Sequence, residues 1–169
     1  MIKRSSRKRE LKKRFRVSEM SSISTLEVAW ENTSMFALAD ETYFCYQVAF
    51  TNKLELLKWA REEKKCEWDS GTISSAASQG NLEMVKYCVA NECPIYEWAC
   101  ANAAGHGHLE ILKYLHETAK APWNFWAVRD AHVKNQTECL QYLLDNNCPL
   151  PSGWRYEDGI LRTPTSASS

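Results

Sequence analysis

The chain has 169 residues, 44% of them hydrophobic and 25% charged, with as many Lys and Arg as Asp and Glu. That composition fits one globular domain with tails, and no apolar run approaches the roughly 18 residues of a membrane span. Met1-Ile2-Lys3-Arg4 leads into more charge and not into an apolar stretch, so no secretory signal is expected. The seven cysteines then read as reduced thiols of an intracellular protein, cytoplasmic or nuclear.

The zero net charge is unevenly divided. Residues 1–16 hold Lys3, Arg4, Arg7, Lys8, Arg9, Lys12, Lys13, Arg14 and Arg16 against the single acid Glu10, leaving an acidic body behind a basic arm. Like-charge repulsion and few apolar residues predict disorder over 1–23. The clusters Arg7-Lys8-Arg9 and Lys12-Lys13-Arg14 suit a nuclear-import signal or a polyanion-binding patch, so an import receptor or nucleic acid is a candidate partner of the arm. The plain alternative is a solvated tail that binds nothing.

Beyond the arm the chain repeats itself. Asn52-Lys53-Leu54-Glu55-Leu56-Leu57-Lys58-Trp59, Gly80-Asn81-Leu82-Glu83-Met84-Val85-Lys86-Tyr87, Gly107-His108-Leu109-Glu110-Ile111-Leu112-Lys113-Tyr114 and Asn135-Gln136-Thr137-Glu138-Cys139-Leu140-Gln141-Tyr142 share one pattern. Their glutamates are spaced by 28, 27 and 28 residues. A second phase, Cys66-Glu67-Trp68, Cys93-Pro94-Ile95, Ala121-Pro122-Trp123 and Cys148-Pro149-Leu150, keeps the same register, as do the alanines at 76–77, 103–104 and 131. Each copy reads as two short helices. The second helix has one apolar stripe, and Asn52, Gly80, Gly107 or Asn135 ends the first in the left-handed conformation. A single pair cannot bury its apolar face, so neighbours must stack.

These residues resemble the ankyrin repeat family. Ala-Ala-x-x-Gly-Asn-Leu-Glu-Met-Val-Lys-Tyr and Ala-Ala-Gly-His-Gly-His-Leu-Glu-Ile-Leu-Lys-Tyr are similar to its core, more closely to a short-period, Cys-Pro-Trp type of algae, oomycetes and giant viruses. The resemblance covers about residues 24–150 and implies an all-α, ankyrin-like solenoid of stacked helix–turn–helix repeats that binds a protein partner. The chain departs from the family in holding Gly71-Thr72-Ile73-Ser74 where Thr-Pro-Leu-His is usual, and in its short period.

In chain order the expectation is a capping helix at 24–33, repeats at about 38–65, 66–92, 93–120 and 121–147, a cover at 148–160 and a disordered tail at 161–169. Trp154 and Tyr156 are expected to close the last repeat.

No catalytic constellation, cofactor motif or metal spacing is present. The cysteines have no C-x-x-C pair, and Cys66, Cys93 and Cys148 share one repeat position, which makes them small buried hydrophobes. His108 takes the helix-start place of Asn81 and Gln136. His132 takes the second-alanine place and is expected inside the stack, too far from a cleft to serve Cys139 as a catalytic partner. Trp98 and Trp126 share a first-helix position and are assigned to the core. The repeat register leaves Trp68, Ser70, Gln79, Ile95, Glu97, His106, Trp123, Phe125 and Lys134 as the candidate protein-binding surface. The expected molecule is a monomeric, non-catalytic interaction module outside the membrane.

Overall fold

A computed structural model describes residues 17–31 and 41–164. The basic arm at 1–16, the opening of the first repeat at 38–40 and the end of the tail at 165–169 lie outside the described residues. The chain forms two compact units, Met1–Pro94 and Ile95–Ser169.

In the first unit a 3-10 turn, Val17–Glu19, precedes α1 (Ile23–Glu31). Two helix pairs follow: α2 (Glu41–Phe50) with α3 (Leu54–Lys58), and α4 (Ser70–Ser78) with α5 (Leu82–Ala90). The second unit holds α6 (Glu97–Gly105) with α7 (Leu109–Lys113) and α8 (Phe125–Val133) with α9 (Thr137–Asp145). A two-stranded antiparallel hairpin ends it, β1 (Arg155–Glu157) and β2 (Ile160–Arg162), with Tyr156 opposite Leu161. The architecture is all-α and built of helix–turn–helix repeats. Within each unit the first helices pack side by side, α2 on α4 and α6 on α8.

The turns follow from the residues named above. Asn52, Gly80, Gly107 and Asn135 have φ of 61°, 75°, 77° and 56°. The next residue then donates back to the alanine register: Asn81 N to Ala76 O at 3.2 Å, His108 N to Ala103 O at 2.9 Å and Gln136 N to Ala131 O at 2.8 Å. Each bond satisfies a carbonyl that the helix end would leave unpaired.

The second helices end in the same way. Lys65, Glu92, Lys120 and Asn147 have φ of 54°, 59°, 53° and 57°. Three of these four are residues that gain nothing from that region. Lys65 and Lys120 stand 13 residues after the preceding left-handed residue, whereas Glu92 and Asn147 stand 12 after theirs. The extra residue is absorbed as a π turn, Trp59–Glu63 after α3 and Tyr114–Thr118 after α7. Repeats therefore alternate in kind.

The core follows the repeat register. Leu56, Leu57, Ile73, Met84, Val85, Leu112, Leu115 and Leu143 are fully buried. Thiols close the repeats: Cys66 donates to Glu41 O at 3.1 Å, Cys93 to Asp69 O at 3.3 Å and Cys148 to Asn124 O at 3.5 Å. Each joins the end of a repeat to the start of its first helix. Ala121, at the equivalent position, has no thiol to do so.

Four expectations need correction. Residues 17–23 do not all belong to a disordered arm, since Val17 and Met20 are buried, Val17–Glu19 form the 3-10 turn and α1 starts at Ile23. Residues 161–162 are strand and not disordered tail, because Asp158-Gly159, both at positive φ, makes the two-residue turn of a hairpin. His132 is exposed, with its ring 4.8 Å from that of Trp154. Of the three helix-start side chains only Asn81 caps, accepting from Met84 N at 2.9 Å; His108 and Gln136 make no side-chain cap bond. Tyr156 accepts a hydrogen bond from Gln141 Nε2 at 3.1 Å, which ties the hairpin to α9.

Candidate protein-binding surface

The two tryptophans at the inter-repeat turns fold onto their own unit. Trp68, half-buried, lies under Arg61 at 4.1 Å and meets Tyr87 edge-on at 6.0 Å. Tyr87 donates to Glu62 Oε1 at 3.0 Å. In the second unit Trp123, also half-buried, stacks on His116 at 3.7 Å and meets Tyr142 edge-on at 6.3 Å. Tyr142 donates to Glu117 Oε1 at 2.8 Å, and His116 Nδ1 is 2.9 Å from the same phenol oxygen. A phenol has one proton, and the carboxylate takes it, so His116 Nδ1 carries the proton of the second bond. Burial, then the hydrogen bond and charge of the glutamate, push Tyr87 and Tyr142 above their ordinary values. Equivalent residues of the two clusters are 55 positions apart, a double repeat that matches the alternating π turns.

The first helices present a different face. Trp98 is 49% exposed and Phe125 38%. The Trp98 and Trp126 rings lie 5.7 Å apart, Phe125 stacks on Trp126 at 4.9 Å, and Arg129 lies over Trp126 at 4.5 Å. Tyr96, 57% exposed, adjoins α6. The earlier assignment of Trp98 and Trp126 to the core is thus corrected. Buried Ala99/Ala103 and Cys100/Ala104 mark the inner face of α6, and Trp98 shares the other face with Asn102 and His106 at i+4 and i+8. That spacing was available in the sequence.

The remaining expected residues are placed as follows. Ser70, Glu97 and Phe125 each open a first helix, while Gln79, His106 and Lys134 are the C-caps of α4, α6 and α8. Helices of this length put those two groups about 13.5 Å apart along the axis, at opposite ends of each helix, and nine residues at about 100° each turn them to opposite sides. Ile95 and Ser70 are half-buried, His106 and Lys134 exposed. Phe125 is the one expected residue that falls in the aromatic patch, which Trp98, Trp126 and Tyr96 complete.

Residues 73–116 match the family model for ankyrin repeats (many copies). This segment is similar to ankyrin repeats. No curated protein and no solved structure matches the chain. Ankyrin repeats as a class are protein-interaction modules, with contact made by exposed side chains of a stacked surface.

Five thiols, Cys45, Cys88, Cys100, Cys139 and Cys148, are held in their neutral form. Burial pushes Cys100 and Cys148 up to about 12 and Cys139 up to about 11. Hydrogen bonding to Cys66 and burial raise Cys45; hydrogen bonding to Cys93 and burial raise Cys88. A nucleophilic cysteine needs the opposite shift. Among the described residues no group of three His, Cys, Asp or Glu is placed to hold a metal ion, and no helix is long and apolar enough to cross a membrane.

Proposed function

We propose that this chain is a non-catalytic protein-interaction module whose partner lies on the concave side of the repeats, against the exposed faces of the first helices. The observation that supports this most directly is the aromatic patch of the second unit: Trp98 and Phe125 exposed, with Trp126 between them in ring contact with both. Large exposed aromatic side chains cost solubility and are the usual anchors of protein interfaces. Glu97, His106 and Lys134 supply a polar rim at the two ends of the same helices. The module acts as an intracellular monomer.

The test is affinity capture from lysate at high salt with the full chain and with a Trp98→Ser/Phe125→Ser double variant. A protein retained by the first and lost by the second, at equal helicity, supports the patch as the contact. Equal capture by both rules it out.

A second reading rests on charge. Nine cations against one acid in residues 1–16 favour an adaptor that uses the arm toward nucleic acid or an import receptor. Replacing the nine by Gln in the full chain removes salt-dependent retention on a polyanion if this reading holds.

A further inference from the structure

Positions 43, 71, 98 and 126 are equivalent in the four repeats, each five residues before the residue of the alanine register, and they hold Tyr, Gly, Trp and Trp. The missing side chain at Gly71 leaves a groove of about 370 Å³ in the first unit, lined by Thr42, Tyr43, Tyr46, Asp69 and Gly71. A Cβ at position 71 would stand 2.9 Å from Asp69 Oδ1 and 3.4 Å from Tyr46 Cδ2, so a side chain there would enter the groove. Tyr43 and Tyr46 form one wall, stacked with centroids 5.9 Å apart. Asp69 supplies a carboxylate, with Oδ1 accepting from Gly71 N at 2.8 Å. Glu41 and Glu67 flank these residues in the chain and meet each other, Glu67 N donating to Glu41 Oε2 at 3.2 Å.

A ring face beside a carboxylate forms a receptor for a cation, because the quadrupole of the ring is negative on its face. The second unit contains the filled counterpart. Arg129, which occupies the Tyr46 place in its own repeat, lies over Trp126 at 4.5 Å. In the first unit Lys58, Arg61 and Lys64 lie over Tyr87, Trp68 and Trp59. Among the described residues no cation lies over Tyr43 or Tyr46.

We propose that the occupant is the chain's own basic segment, Lys3–Arg16, docked in this groove through an arginine or lysine side chain. Its charge is complementary: nine cations and one acid meet Asp69, Glu41 and Glu67. Its attachment point is close, since the described chain begins at Val17 in a turn that packs on α2, the helix that carries Tyr43 and Tyr46. The ten residues of α2 measure about 15 Å, which four or five extended residues span at about 3.3 Å each. The sixteen residues ahead of Val17 therefore reach the groove from either end of the helix.

The experiment is tyrosine-ring NMR on the full chain, with Tyr43 and Tyr46 assigned through their Phe variants. Replacing the nine Lys and Arg of the arm by Gln should shift both rings and leave Tyr156, in the other unit, unmoved. About 1 M salt, where the screening length is about 3 Å, should carry the wild-type spectrum to that of the neutralised arm. Asp69→Asn should carry it part of the way. Tyr43 and Tyr46 signals identical in wild type and arm variant overturn the proposal. So does a salt response of equal size in both, which would belong to the groove alone. A wild-type effect that fades on dilution also overturns it, because a second copy would then supply the arm.

Discussion

Trp98 and Trp126 occupy the same place in successive repeats of the second unit and meet at 5.7 Å, yet Trp98 keeps 49% of its surface in water. An aromatic pair of this kind contributes about 0.5–1.5 kcal/mol beyond its buried area. Trp98→Ser loses that contribution and the transfer energy of its buried half, and is therefore expected to cost about 1.5–2.5 kcal/mol by urea unfolding. A loss of about 3–5 kcal/mol, the range for a core aromatic, would return Trp98 to the core.

Gly107 sits at φ 77°, and a Cβ there would collide with the Gln136 side chain. Gly107→Val combines left-handed strain with that collision and should cost more than about 1 kcal/mol. Thermal unfolding reads it. An unchanged melting temperature would mean that the turn rearranges freely.

Lys120 adopts φ 53° and Glu92 φ 59° with no structural need for a side chain that disfavours it. Lys120→Gly relieves roughly 1–2 kcal/mol of left-handed strain against about 0.5–1 kcal/mol of added chain entropy. A net gain of about 0.5–1 kcal/mol is expected in denaturant melts, the same for Glu92→Gly.

Leu112 is fully buried in α7. Leu112→Ala should cost about 2–5 kcal/mol through lost transfer energy and a cavity. A cost within the surface range of about 0.5 kcal/mol would overturn the packing of that helix.

The raised thiols predict alkaline lability. Cys100, Cys139 and Cys148 have an ordinary value of 9.0 and stand at about 12, 11 and 12 in the folded chain. An unfolded chain then loses these protons first, so folded stability is complete below pH 9 and declines as pH rises through about 9 to 12. Tyr87 and Tyr142, raised from 10.0, act in the same direction. The melting temperature should fall across that window, and Cys100→Ala should flatten the fall. A flat profile from pH 8 to about 11 would mean that these thiols are hydrated in the folded state.

The legible part of this protein was the part that depends on neighbours in sequence. Helix pairs, their apolar stripes and the left-handed Asn52, Gly80, Gly107 and Asn135 follow from periodicity and from backbone preference, which act within a few residues. Asp158-Gly159 is equally local and signals the β1–β2 hairpin. The α6 face was also readable: the spacing of Trp98 from Ala99 and Cys100 separates outside from inside.

Other features depended on which surfaces meet. Nothing local sets Lys65, Glu92 or Lys120 into the left-handed region; the chain takes it there because the next residue must enter the core, as buried Cys66, Cys93 and Ala121 do. The 13- and 12-residue spacings are written in the sequence, but absorbing the extra residue as a π turn while Cys66 and Ala121 stay buried is decided by packing. Trp68 and Trp123 could as well have projected into water. Arg61 and His116, one turn after their helices pass the core, hold them down. Sequence by itself determined the repeat, its period and its turns, since these are short-range and repeated. Tertiary structure decided which aromatic rings are spent on packing and which stay in water, because burial is settled by surfaces brought together from different repeats.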